Sequence, residues 1–363
     1  MSMTSRAAIA AAALAVLPGT ALAGVTQVPT TGTESGTGWS VQWTTLDPGT
    51  CSQASGTAVV EPGPNLGCSE SSTGSPQLAV TAFGSVWLVG GGVLQAVNPS
   101  TSAISPTIPL PGIMVTLRGG AAAAQGSYLW IAGAKSFSNG ATATRVVAVN
   151  SSGAIKKTFT SSPKKIGAGG QSIAYGAGTL WVGDSANRIY ALSPSTGKLK
   201  RTITTANTDG LVVARGNLWA TNSAGRTVKV FNTSTGKVIA TRKVVGLPNA
   251  VVASGRTVYV FSESYLYAYS STTLKQTGRW KAPASGSGWL GAVVGPGGLW
   301  ASNYVAKLVR FNTATKRFDV NVGWSNQDTG GPLASAGGML WVPNPSSSPF
   351  PTGHSVTRFA LTP

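Results

Sequence analysis

The sequence predicts an all-β protein assembled from seven copies of one four-stranded unit, and three observations predict it. An aromatic residue recurs about every forty residues, at Trp87, Trp130, Trp181, Trp219, Tyr259, Trp300 and Trp341. A glycine stands three or four residues ahead of each one, and an apolar run such as "LVVARG" or "AVVASG" precedes that glycine. A second alternating run follows, bounded by turns such as "SPSTGK" and "NTSTGK". Each copy therefore reads as four short strands with period-2 alternation, split by Gly and Ser/Thr/Asn turns.

Taken in order, the chain opens with a segment of another kind. "MSMTSR" carries one positive charge, "AAIAAAALAVLPGT" is apolar, and "ALA" ends at Ala23 as a small-x-small site. Residues 1–23 are expected to be a secretory signal peptide. Residues 24–38 are rich in Thr, Gly and Ser and are expected to be a flexible lead-in. "WSVQWTTL", Trp39 to Leu46, alternates as a strand, as does "TAVVE" over residues 57–61. Cys51 and Cys68 are the only cysteines. In an exported protein they are expected to be joined, closing a short loop and adding on the order of 3 kcal/mol.

The seven copies come next. "AAAA" at Ala121 to Ala124 would favour helix by local propensity. Its place in the repeat, where other copies have "AVV" or "LVV", makes it an inner strand. The last copy ends at "SVTRFALTP" with a third strand and no fourth. A blade left so exposes a strand edge, so a strand near the N-terminus should complete it, either residues 39–46 or residues 57–61. One such sheet cannot bury both faces, and copies must stack on one another. The expected architecture is a seven-bladed β-propeller over 39–363, a single domain of four-stranded blades whose ring is closed by an N-terminal strand completing the last blade. The recurrent aromatics are then core between blades.

The pattern of Leu-Trp-Val, a polar turn, an alternating run and Ser-Thr-Gly-Lys resembles the YVTN-type seven-bladed propellers, a superfamily related to NHL-repeat and streptogramin B lyase propellers. The resemblance runs from about Gln77 to Pro363. It implies the fold and leaves the activity open, because propellers host many unrelated functions.

The chain carries 27 Lys and Arg against 9 Asp and Glu, a net charge of +18. After Arg6, every basic residue lies from Arg118 onward. "KLKR", "TRK" and "ATKR" fall on or beside fourth strands, which predicts a cationic outer rim that guards blade edges against self-pairing. Non-specific attraction to anionic polymers follows from the charge. No motif supports specific nucleic-acid binding, and no stretch after the signal peptide is apolar enough to span a membrane. The expected protein is a secreted or envelope-associated monomer.

Adjacent strands being antiparallel, the turns between second and third strands share one face with the blade-to-blade linkers. This upper face carries Asp184, Asn222, Ser262, Asn303 and Asn344 three residues after the aromatic. Asn and Asp there serve turn chemistry or contact a ligand. Three insertions also gather on the upper side of neighbouring blades seven, one and two: the Cys51–Cys68 loop, Lys135 to Thr144, and Pro343 to Ser355. Long loops on a rigid scaffold are where function concentrates. Phe137, Asn139, Phe350 and His354 are the candidate contacts in that patch.

Catalysis finds less support. The resemblance to streptogramin B lyase propellers would imply His and Glu near a divalent metal, and His354 is the single histidine. No GxSxG or GxGxxG motif in a suitable context is present. No cofactor and no metal site is expected. The reading is a non-enzymatic propeller that binds a glycan, peptide, small molecule or envelope protein through its upper face. The alternative is a lyase- or hydrolase-type enzyme with a polar site at the upper channel mouth.

Overall fold

The computed structural model describes residues 31–36, 39–46, 76–90, 92–115, 121–163, 169–283, 288–303, 307–323, 331–345 and 354–362. Among these the chain is β-structure and turns, with no helix. It forms seven antiparallel sheets, and in six of them the strands follow chain order from the inside outward. The expected propeller is the observed one.

Blade 4 shows the pattern: Gly210–Ala214, Asn217–Asn222, Thr227–Asn232 and Val238–Lys243. Blades 2, 3, 5 and 6 repeat it with first strands at Ala121–Gln125, Gly170–Gly176, Pro248–Ser254 and Trp289–Gly295. Blade 1 begins at Leu78–Ala82 and ends in a fourth strand of only two residues, Ile108–Pro109. "AAAA" is an inner strand, paired with Tyr128–Ser136.

Blade 7 closes the ring. Ala334–Ala336, Met339–Pro345 and His354–Thr362 are followed outward by Trp39–Leu46, with Trp43 opposite Phe359. The clasp is therefore residues 39–46, and residues 57–61 lie outside the described residues. One element departs from expectation. Within the lead-in assigned to 24–38, Thr31–Gly36 is a fifth strand, folded back on the clasp with Gly36 opposite Trp39. The outer edge of the clasp offers unpaired backbone, and a Thr-bearing stretch is well suited to pair with it.

The core is seven clusters, one between each pair of neighbouring blades, and each holds one recurrent aromatic. Trp219 of blade 4 packs with Val258, Val260, Tyr267 and Tyr269 of blade 5. Trp130 meets Leu180, Val182 and Leu192 of blade 3, and Trp341 meets Val86 and Leu88 of blade 1 across the closure. All seven aromatics are buried. Full burial of such rings dominates the energetics of an interface between sheets. The indole N–H groups of Trp87 and Trp300 donate to Ala82 and Pro296 carbonyls of their own blades at 3.1 and 2.8 Å. Those of Trp130 and Trp219 have no partner among the described residues.

The glycine ahead of each aromatic has a backbone cause. It sits in the two-residue turn joining first and second strands, where Phe83 and Gly84 have φ of 51° and 76°, and Arg215 and Gly216 have 51° and 74°. Two successive positive φ values mark the hairpin turn that matches strand twist, and glycine adopts them without steric cost.

The outer edges carry a second recurrent device. In blades 2 to 6 the pairing of third and fourth strands shifts register after the first one or two residue pairs, as between Val230 and Phe231. A bulge bends and twists the edge away from flat pairing with another chain. Edge protection here is backbone geometry as well as charge.

Candidate functional site

The first strands of all seven blades converge on a central cavity of about 430 Å³. Aliphatic side chains, Val80, Ile173, Val251 and Val293, line part of its wall. Its upper mouth is polar, with Gln171, Asp209 and Asn249 on successive blades. Register explains part of this. Blades 3, 5 and 6 are irregular between Gly170 and Ser172, Pro248 and Ala250, and Trp289 and Gly291. Gln171, Asn249 and Leu290 are thus extra residues at bulges, a device that re-aims a side chain. Blade 4 has no bulge. Gly210 allows the Asn249 carbonyl to approach, since a Cβ there would stand 2.9 Å from that oxygen.

Asp209 is the one carboxylate of the cavity wall among the described residues. The Ser223 amide donates to it at 2.6 Å and the Asn207 side chain at 3.3 Å. Burial nevertheless pushes its carboxyl above the ordinary value, because desolvation of the charge outweighs the bond from the Ser223 amide. Among the described residues, no three His, Cys, Asp or Glu side chains come together as a metal site.

The upper turns behave differently from the mouth. Asp184 is fully buried and accepts from the Ala186 and Arg188 amides at 3.0 and 2.8 Å. It also accepts from Tyr190 and Thr144 hydroxyls at 3.0 and 3.3 Å. Burial raises its carboxyl too, against those four bonds. Asn222 receives the Gly225 amide and donates to the Asn207 carbonyl. Ser262 bonds to Val245 and Tyr265, and Asn303 accepts the Lys307 amide at 3.0 Å. These side chains hold their own turns. Asn344 pairs through its backbone with Ser355.

The blade-2 insertion is a longer hairpin. Tyr128–Ser136 and Thr142–Val149 stay paired to Ser136 opposite Thr142, capped by a turn from Phe137 to Ala141. The half-buried Phe137 ring lies 5.1 Å from the Lys135 ammonium, and the exposed Asn139 side chain accepts the Ala141 amide. The hairpin is braced from below by the blade 1–2 linker. Met114 exchanges two backbone bonds with Ala134, and Gly133 makes room, since a Cβ there would overlap the Met114 carbonyl. Met114 itself is 45% exposed beside the hairpin. Cys51, Cys68 and Phe350 lie outside the described residues, as does the His354 side chain, although His354 opens the third strand of blade 7. Met114, Gln171 and Asn249 were not singled out by sequence. The only signal was a polar residue heading an apolar inner strand, in "GQSIAYG" and "PNAVVAS".

These features define a class: a closed seven-bladed propeller with tight lower turns and, on blade 2, an extended hairpin above. Within that class the chain belongs to the family described as outer membrane protein assembly factor BamB, which matches residues 29–282. No curated protein matches it. Among solved structures, one titled "Crystal Structure of Mitotic Checkpoint Complex" is similar, with a TM-score of 0.60 and 11% identity. The match covers 84% of this chain and 95% of that one. At that identity the likeness is one of fold.

Proposed function

We propose that this chain is a secreted, envelope-associated, non-enzymatic propeller that binds a protein partner through the upper face of blades seven, one and two. The observation that carries the reading is membership of a family named for outer membrane protein assembly, which is work done by binding other proteins. The geometry supports it. A braced hairpin carries Phe137, three residues beyond the partner of the exposed Met114, and an aromatic and a methionine on a stiff support are suitable interface anchors. The Cys51–Cys68 and Pro343–Ser355 loops, with Phe350 and His354, belong to the same sector in this reading. The disulfide would lower the ordering cost of binding. Closer kinship to YVTN-type propellers is part of the proposal.

A photo-crosslinking residue at position 137, compared with one at Leu199 on the outer edge, tests it in the exporting cell. One discrete protein adduct is expected from position 137, lost on Met114→Asp and absent from position 199. Equal adducts from both positions, or an adduct indifferent to Met114→Asp, would remove the assignment.

A further inference from the structure

The opposite face carries a regularity that partner binding does not use. The turns joining third and fourth strands, Ser193–Lys198, Asn232–Lys237, Ser270–Lys275 and Asn312–Arg317, share one length and one fold. In the first three, the amide of the opening residue bonds to the carbonyl of the last. In all four, the residue before the last has positive φ: Gly197, Gly236, Leu274 and Lys316. Each turn therefore delivers a basic residue at one place, and Lys198, Lys237, Lys275 and Arg317 are all exposed. Blade 2 adds the exposed Lys156 at its bulge, and the first hairpin turns add Arg215 and Arg256.

Among the described side chains the one acid at this end is Asp319, which accepts from Asn312 of the blade-6 turn at 3.0 Å. Asp184, Asp209 and Glu263 stand at the upper end of their blades, and Asp319 is held by Arg310 at 2.7 Å. Between the lysines the same corner exposes aliphatic side chains: Leu199 at 47%, Val238 at 50% and Ile239 at 46%. Ile239 is the bulge residue of its strand.

We propose that this lower face, over blades 3 to 6, docks on an anionic lipid surface. Turns of one length place the cations at one level, as a planar surface requires. The aliphatic side chains choose the partner. A soluble polyanion would need the charge alone, whereas a headgroup layer accepts cations and apolar side chains together. Each Lys held near an anionic leaflet raises affinity about five-fold.

Co-flotation of the full chain with vesicles tests the proposal. Binding is expected to vesicles containing phosphatidylglycerol and not to phosphatidylcholine alone. The triple variant Lys198→Glu, Lys237→Glu, Lys275→Glu should lose on the order of a hundred-fold or more. The pair Val238→Asn, Ile239→Asn should weaken vesicle binding while leaving binding to soluble polyphosphate unchanged. All five positions are exposed, and an unaltered melting curve serves as the control for folding. A triple variant that binds like the parent would overturn the proposal. So would an aliphatic pair without effect on vesicles, which would make the face a site for anionic polymer. Neither result bears on crosslinking from position 137.

Discussion

The two ends of each blade use the same residue types to hold turns of different kinds. At the upper end, polar side chains turn inward: Asp184 accepts four hydrogen bonds and Ser262 is fully enclosed. There the turns vary, from a short turn after Asp184 to the extended hairpin under Phe137. At the lower end, Asn232, Ser270 and Asn312 close turns of one geometry, and the charged residue that follows points to solvent. Where the turns differ from blade to blade, loop length is what varies. Where the turn is constant, its surface charge becomes a repeated array.

The largest effect should come from the frame that keeps the faces apart. Trp219→Ala removes a fully buried ring between blades 4 and 5 and should cost about 3–5 kcal/mol. Urea unfolding measures it, and both ends of blades 4 and 5 should loosen together. Loss confined to one face would mean that the faces do not share this core. Next, Asp184→Ala leaves four donors without an acceptor, the Thr144 and Tyr190 hydroxyls among them buried, a loss of about 3 kcal/mol. Asp184→Asn should restore most of it, because Asn222 and Asn303 hold the equivalent turns of blades 4 and 6. Lys198→Ala, at the lower end, should change stability by less than about 0.5 kcal/mol. Equal losses from Asp184→Ala and Lys198→Ala would erase the distinction between the faces.

These contrasts also show what was legible in the chain. The aromatic anchors were, because the same steric demand between blades recurs seven times and leaves a period. The clasp was, because an unfinished last blade requires a strand from elsewhere. Thr31–Gly36 was not: its composition is that of a linker, and its pairing depends on an edge that exists only after the ring closes. Gln171 and Asn249 were hidden for a related reason. A bulge is a property of two strands in register, and neither strand alone announces it. The upper-turn Asp and Asn residues were visible as turn formers, and the hydrogen bonds of Asp184, Asn222 and Asn303 display that role. The basic residues of the lower turns were visible in "KLKR" and "ATKR", but their common presentation depends on the positive φ beside them.

A smaller effect concerns pH. Burial raises the Asp209 carboxyl above the ordinary value, so the folded chain keeps this proton to a higher pH than the unfolded chain. Its contribution to stability is complete below the unfolded pKa, about 4. It is lost as pH rises through the raised folded value. Melting curves of Asp209→Asn and the parent should therefore separate on going from pH 4 to pH 7, with the variant losing less. Parallel curves would mean that the carboxylate is as well solvated in the fold as outside it.

The most direct test of the division between faces is hydrogen–deuterium exchange on phosphatidylglycerol-containing vesicles. Residues 193–200 and 232–239 should gain protection while the hairpin turn at 137–141 exchanges as it does in free solution. Protection at 137–141, or equal protection at both ends of the blades, would contradict the account.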